Sequence, residues 1–362
     1  MLPRHVLVVG NLGYVGPAVT RRLRESYPGA QLTGADIGYF AHCLTGASTL
    51  PERLLDTQHF VDIRRIGREM LANVDAVVNL AAISNDPMGN VYERATDEIN
   101  FKAGIRLAQL AKESGVASFV FASSCSVYGQ AEGAPRKESD ALNPLTAYAR
   151  SKIDTETELQ KLATSTFQVT ALRFPTACGM SDRLRLDLVL NDFVACALAT
   201  GRIQILSDGT PWRPLIDTRD MAAAIDWALQ RAPVASSGFL AINVGRNENN
   251  YQVKDLADAV AKRLPGTEIH INPNAVPDKR SYQVDFGRYR ELAASHLPAH
   301  SLDDSVSALI HGLRGIGFAD GNFRESNLIR LKVLNGLKDS GALNENLEWN
   351  RAGEPMRRAV GA

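Results

Sequence analysis

Tyr148 and Lys152 stand four residues apart in the stretch Tyr148-Ala-Arg-Ser-Lys152, which follows the turn chemistry of Asn143-Pro144 and reads as helix. On a helix that spacing puts a phenol and an ammonium on one face. A tyrosine with its ordinary pKa of about 10 is a poor base at neutral pH. A neighbouring cation favours the phenolate, and each tenfold gain in acidity corresponds to about 1.4 kcal/mol. The pair is thus suited to taking or giving a proton near pH 7. The same spacing also fits two side chains that merely decorate an exposed helix, so the elements around them decide.

His5 to Val9 is a compact apolar run, followed by Gly10-Asn11-Leu12-Gly13-Tyr14-Val15-Gly16 and a helical pattern from Ala18 to Ser26. Strand, glycine turn and helix in that order bring backbone amides and a helix N-terminus to where a pyrophosphate sits. The spacing is GxxGxxG, and alone it fits an ordinary strand-to-helix turn as well. A second strand, Gln31 to Ala35, ends in Asp36, 20 residues beyond Gly16, where a carboxylate accepts hydrogen bonds from an adenosine ribose. Ile37 follows, with no arginine beside it for a 2′-phosphate, so NAD is expected rather than NADP.

Residues 37 to 58 read as an irregular crossover with a short helix near Leu50 to Leu55. Phe60 to Ile63 reads as a third strand, with Asp62 and Ile63 at its end to hold an adenine, or with Asp62 as a helix cap. Asp75 to Leu80 is a fourth strand, and its exit, Asn79-Leu80-Ala81-Ala82, is small enough for a ligand to lie on backbone. The loop containing Ser84 comes next, then a long amphipathic helix from Val91 to Ser114 and a fifth strand from Ala117 to Ala122. This alternation predicts an α/β, Rossmann-type doubly wound parallel sheet whose ligands bind beyond the carboxyl ends of the strands. Ser123-Ser124-Cys125-Ser126-Val127-Tyr128-Gly129 sits on that rim.

Gln168 to Phe174 reads as a sixth strand, left by the loop Pro175-Thr176-Ala177-Cys178-Gly179. Arg183 and Arg185 precede an apolar helix, Asp187 to Thr200, and Arg213 lies just before a strand and a helix start at which Asp220 reads as the cap. An arginine fork donates in parallel to two phosphate oxygens, which makes these residues diphosphate candidates. Leu240 to Val244 reads as the last strand of the sheet and Tyr251 to Leu264 as a helix of a smaller, mixed α/β C-terminal substrate lobe. Arg280 follows in Asp278-Lys-Arg280-Ser-Tyr282. The expected organisation is an NAD-binding domain of residues 1–174 plus about 215–245, a substrate-binding lobe of 175–214 plus about 246–318, and a C-terminal helical extension of 319–362. In that extension Leu328 to Leu337 forms an amphipathic helix folded back on the body or on a partner subunit.

Forty basic and forty acidic residues balance in a chain of 362, which points to neither a nucleic-acid nor a membrane partner. Cys43, Cys125, Cys178 and Cys196 are scattered without a CxxC pair, so neither a metal site nor a disulfide framework is expected. No apolar run approaches spanning length and the N-terminus lacks a signal pattern, and a cytoplasmic enzyme is expected.

Taken together, Gly10-x-x-Gly13-x-x-Gly16, Asp36, Asn79-Leu-Ala-Ala82, Ser123-Ser-x-x-Val-Tyr-Gly129 and Tyr148-x-x-x-Lys152 resemble the extended short-chain dehydrogenase/reductase family, above all its nucleotide-sugar epimerases and dehydratases. The resemblance spans roughly residues 4 to 315. It implies that Tyr148 is the acid/base, that Lys152 binds the nicotinamide ribose and lowers the tyrosine pKa, and that Ser124 hydrogen-bonds the reacting sugar oxygen. It implies NAD held along Gly10 to Gly16, Asp36, Asp62, Ile63, Leu80, Ala81, Ala82, Phe174 and Thr176. A nucleotide-diphosphate sugar is implied at Ser84, Ser124, Ser126, Thr176, Arg185, Arg213 and Arg280, although many relatives carry asparagine at the Thr176 position. The family's 4,6-dehydratases place Asp and Glu where this chain has Cys125 and Ser126, and a neutral serine does not remove a C5 proton. Its 3,5-epimerases put a reactive cysteine at the Ser126 position, one residue later than Cys125, so Cys125 is either an acid/base or a small packing residue. The simple 4-epimerases match best. A keto-sugar reductase or dehydrogenase and a noncatalytic dinucleotide-binding protein are the alternatives. A homodimer paired through the helices Val91 to Ser114 and Ala147 to Ala163 is a further implication.

Overall fold

The computed structural model describes residues 2–350 except 132, 234–236, 273, 274 and 276–279. Asp278, Lys279 and the expected extension past residue 350 lie outside the described residues. The strands are β1 (His5–Val9), β2 (Gln31–Asp36), β3 (Thr57–Phe60), β4 (Ala76–Asn79), β5 (Ser118–Ser124), β6 (Gln168–Phe174), β7 (Thr176–Cys178), β8 (Arg202–Ile205), β9 (Trp212–Asp217), β10 (Phe239–Asn243), β11 (Asn250–Gln252) and β12 (Glu268–Ile271). Seven of them form one parallel sheet in the order β10-β6-β5-β4-β1-β2-β3. The order reverses between β1 and β4, which opens a crevice above their carboxyl ends.

Parallel strands covered on both sides are apolar at nearly every position. In β1, Val6 and Val8 join the core on one face while Leu7 and Val9 join the core on the other. The helices Gly16–Ser26 and Thr218–Gln230 cover the first face. Ala103–Glu113 and Ala147–Leu162 cover the second. A separate core lies under β8 and under the helices Val189–Thr200, Val253–Arg263 and Leu302–Gly315, which carry the small sheets β11-β9-β7 and β12-β8.

Several expectations are corrected. The third strand ends at Phe60, because Asp62 leaves the strand to cap a short 3-10 turn, accepting from the Arg64 amide at 2.8 Å. The single helix expected over Val91–Ser114 is broken. Asn85 caps at Met88 and starts a helix at Asp86, the chain breaks at Tyr92, and Asp97–Lys102 is a π-helical turn. A π turn carries an extra residue, and here Asn100 pairs both backbone groups of Ile83 and Ser151 Oγ. Thr176–Cys178 is a strand rather than loop, and Arg213 lies within β9 rather than before it. The cap of the Thr218–Gln230 helix is Asp217, which accepts from the Arg219 amide, while Asp220 bonds His300 and the amide of Ala299. The Arg330–Asp339 helix folds back on the body, and Leu334, Leu343 and Leu347 enter the core beneath the large sheet.

Candidate active site

A cleft of about 880 Å³ lies over the carboxyl ends of β1, β2, β4, β5 and β6 and is closed by β7, β9 and the residues leading into the Val189–Thr200 helix. One half is built from backbone. Gly10 has φ +88°, and a Cβ there would stand 2.5 Å from the Ala81 amide nitrogen, so only glycine lets the turn lie against the exit of β4. At Gly13 a Cβ would meet only the Gly10 carbonyl, leaving its open side to the cleft. The Gly16–Ser26 helix that follows has no side-chain cap. An uncapped helix start behind an open glycine turn fits a pyrophosphate. Asp36, at the end of β2, accepts from Leu12 N at 3.0 Å and Gly38 N at 2.7 Å, and burial pushes its carboxyl above the usual range against those two amides.

Most of the expected cofactor residues line this cleft: Gly10, Gly13, Tyr14, Val15, Gly16, Asp36, Asp62, Ile63, Leu80, Ala81, Ala82, Phe174 and Thr176. Asn11 and Leu12 do not. The Asn11 side chain is buried against Gln58 at 2.6 Å, and Leu12 contributes only its amide, to Asp36. The Tyr14 hydroxyl turns to the other half of the molecule, donating to Gly179 O at 2.5 Å and accepting from Asn191 at 3.0 Å. Both Asp62 oxygens are held by the Arg64 guanidinium.

Tyr148, Lys152, Ser124 and Ser126 meet in the same cleft. Thr146 caps their helix through the Ala149 amide at 3.1 Å, and this sets Tyr148 in its first turn. The Lys152 ammonium donates to Ala122 O at 2.7 Å and lies 5.4 Å from the centroid of the Tyr148 ring. The pair by itself does not make a phenolate. Burial pushes the Tyr148 phenol up to about 12, opposed by the Ser124 hydroxyl, and burial pushes Lys152 down to about 7 against the pull of Glu156. Sequence spacing identified the neighbours but not the dielectric they share, and desolvation disfavours both charges.

Ser124 accepts from the Ser126 amide at 3.1 Å, which leaves its own proton to donate. Ser126 Oγ is buried, lines the cleft and has no hydrogen-bond partner. Cys125 does not reach the cleft. It packs with Val127, Tyr128, Tyr282, Val284 and Phe286, its thiol meets Arg173 O at 3.2 Å, and burial pushes the thiol far up. Its surroundings are those of a small packing residue.

On the far side lie Ser84, Thr176, Arg185, Arg213 and Arg280. Arg185 holds Asp187 with two bonds of 2.7 and 2.9 Å and donates to Ser84 Oγ at 3.0 Å. Arg280 reaches Asp86 at 3.3 Å. Arg183, the other arginine considered for diphosphate, is spent on Glu52 at 2.6 Å. Groups in the cleft that carried no sequence signal include Tyr39 and Phe40 from the irregular crossover and Arg330 from the C-terminal helix. Among the described residues no three His, Cys, Asp or Glu side chains stand close enough to hold a metal ion, and no helix is long and apolar enough to cross a membrane.

A parallel sheet in this order, with a glycine turn, an acidic residue ending the second strand and a Ser-Tyr-Lys group at the rim, defines a dinucleotide-dependent Rossmann enzyme. The chain belongs to the NAD-dependent epimerase/dehydratase family, whose profile matches residues 6–245, and NAD is its cofactor. It is 26% identical over 244 residues to an uncharacterized UDP-glucose epimerase, YtcB, of Bacillus subtilis (strain 168), covering 66% of this chain and 74% of that protein. It is also 26% identical over 314 residues to a dTDP-glucose 4,6-dehydratase of Streptomyces griseus, covering 84% of this chain and 93% of that protein. The fold is shared with MoeE5, solved in complex with UDP-glucose and NAD, at a TM-score of 0.72 and 24% identity over 86% of this chain and 98% of that one. The enzyme is of the nucleotide-sugar epimerase and oxidoreductase kind.

Proposed function

We propose that the enzyme inverts C4 of a nucleotide-diphosphate sugar through a transient 4-keto sugar, with Tyr148 as the acid/base. NAD, when bound, supplies the hydride acceptor and donor and, in its oxidised form, a positive ring charge. A positive charge nearby is what a phenol held up at about 12 by burial requires before it serves as a base near neutral pH. Ser124, its oxygen occupied by the Ser126 amide and its hydroxyl beside the Tyr148 phenol, is placed to donate to the same oxygen that Tyr148 deprotonates. Lys152 orients the group from the Ala122 carbonyl. Arg213 and Arg280 are the diphosphate candidates, and Arg185, Ser84, Thr176 and Ser126 line the sugar side.

The observation that carries C4 inversion over dehydration is the rim itself. The two residues after Ser124 are a buried thiol facing away and a neutral hydroxyl with no partner, so neither offers a base for C5. The nearby carboxylates are engaged, Asp187 with Arg185 and Asp86 with Arg280. The test is incubation of the purified enzyme with UDP-, GDP-, CDP- and dTDP-sugars in deuterated water, with products read by NMR. Inversion at C4 without deuterium uptake is expected. Uptake at C3 or C5, or loss of water across C5 and C6, would sink this reading. A need for stoichiometric NADH, with no NAD released on denaturation, would transfer it to a keto-sugar reductase. The same reading includes a cytoplasmic homodimer.

A further inference from the structure

We propose that the C-terminal turn at Leu347 to Trp349 completes the adenosine half of the cofactor site and positions Tyr39 and the Asp62–Arg64 pair for binding ADP-ribose. The proposal rests on reading Asp36 as the adenosine end of the cleft. The turn lies about a hundred residues beyond the end of the family profile at 245.

Three features meet there. Leu347 is fully buried with φ 55°, one of two non-glycine residues in the left-handed region among the described residues. A leucine adopts that backbone only where its surroundings hold it, because its Cβ crowds the carbonyl. Its own hydrogen-bonded turn and the cofactor wall hold it together: on the wall side, the Leu347 carbonyl accepts from the Tyr39 hydroxyl and from Arg64 at 3.4 Å, and the Asn346 carbonyl accepts from Arg64 at 2.8 Å. Trp349 then donates its indole N–H to the Ile37 carbonyl at 2.7 Å, with its ring 6.0 Å from that of Tyr39, while Glu348 pairs with Arg65 at 3.0 Å.

Every partner of this turn named above sits in one of two places, the Ile37–Tyr39 turn that follows Asp36 or the Asp62–Arg65 turn that follows β3. Ile37, Tyr39, Asp62 and Ile63 all line the cleft. The Asp62 carboxylate is oriented by Arg64, and Arg64 is oriented by the two C-terminal carbonyls. Without the turn, Tyr39 would keep a buried hydroxyl with no acceptor, and Arg64 would lose the bonds that fix it over Asp62. The segment therefore acts on the cofactor through the walls it ties together.

The test is titration calorimetry with ADP-ribose on the full chain after removal of bound NAD, for Trp349→Ala, Tyr39→Phe and, as a control within the site, Asp36→Ala. Trp349 is partly exposed and Tyr39→Phe removes a single oxygen, so both variants fold. Both are expected to weaken ADP-ribose by about tenfold, which is about 1.4 kcal/mol, with the chain still fully folded at the temperature of the titration. If Asp36→Ala weakens binding and the other two do not, the C-terminal turn has no part in the site. Weakening seen only where the chain is partly unfolded at the temperature of the titration also overturns the positioning role. If Asp36→Ala binds normally too, the adenosine end is elsewhere and the reading beneath the proposal falls with it.

Discussion

Lys152 holds a proton with difficulty, and Tyr148 gives one up with difficulty, for the same reason: both are cut off from water. The lysine's pKa falls from its ordinary 10.5 to about 7 in the folded chain, so between those values the unfolded state binds a proton that the native state lacks. Stability of the NAD-free protein therefore rises with pH from about 7 to about 10, by an amount of order a few kcal/mol. The burden is greatest below pH 7, where the buried amine is charged. Lys152→Met is expected to melt higher than the parent at pH 6 and to lose that advantage towards pH 10. A constant difference across the range would contradict the depressed pKa. Tyr148→Phe should reduce turnover by about 10²–10⁴-fold with little change in substrate affinity. Cys125→Ala, by contrast, removes a thiol that packs beneath the rim, and steady-state kinetics should find kcat within about threefold of the parent, at a stability cost of about 1 kcal/mol.

At the scale of elements, the small sheet passes at Asp217, the last residue of β9, into the helix that covers one face of the large sheet. Its carboxylate caps the Thr218–Gln230 helix, pairs with the Arg219 guanidinium at 2.8 Å and accepts from Ser305 at 2.7 Å. Burial works to raise its pKa, but the Arg219 and Ser305 hydrogen bonds outweigh it and hold the carboxyl below the usual range. A depressed carboxylate contributes stability that is present above the unfolded pKa near 4 and lost as the pH falls through the folded value. Asp217→Asn keeps the cap but not the charge. It is expected to cost about 1–2 kcal/mol at pH 7, with the difference from the parent vanishing as denaturation is followed below pH 4. A difference that persists at acid pH would assign the role of Asp217 to packing instead.

At the scale of the whole molecule, the cleft is assembled from segments far apart in the chain, from Gly10 to Arg330. Arg330 is almost fully buried, stacks over Phe40 at 4.9 Å and donates to the carbonyls of Arg183 and Leu184 at 2.8 and 3.1 Å. It ties the C-terminal helix to both the crossover at Phe40 and the arginine segment that leads to Asp187. The helices Ala103–Glu113 and Ala147–Leu162 lie side by side on the face opposite the Gly16–Ser26 helix. With the family resemblance, that arrangement predicts a homodimer paired through them. Sedimentation at micromolar concentration should return twice 39.3 kDa, and a single-chain mass would refute the dimer.

Patterns local to a few residues were legible without coordinates. β6 runs from Gln168 to Phe174 as its β-branched and apolar residues predict, and the parallel sheet follows from strands buried on both faces. The glycine turn, Asp36, Ser124 and the Tyr148–Lys152 pair were expected on one rim from residue type, strand order and the family resemblance, and all of them line the cleft. What depended on distant partners was not. The π turn at Asn100 serves Ile83 and Ser151, and Asp217 rather than Asp220 caps its helix because the helix begins at Thr218, which leaves Asp220 inside the first turn, bonded to His300 from across the fold. Cys125 and Ser126 are adjacent in sequence, yet the 3-10 turn that begins there sends the first into an apolar cluster and leaves the second in the cleft. The opposed shifts of Tyr148 and Lys152 come from burial, a property of the whole packed molecule. Residue types and short spacings determined which groups are available for proton and hydride chemistry; only the tertiary structure decided which of them face the cleft and what charge they carry there, because orientation and desolvation are set by neighbours far along the chain.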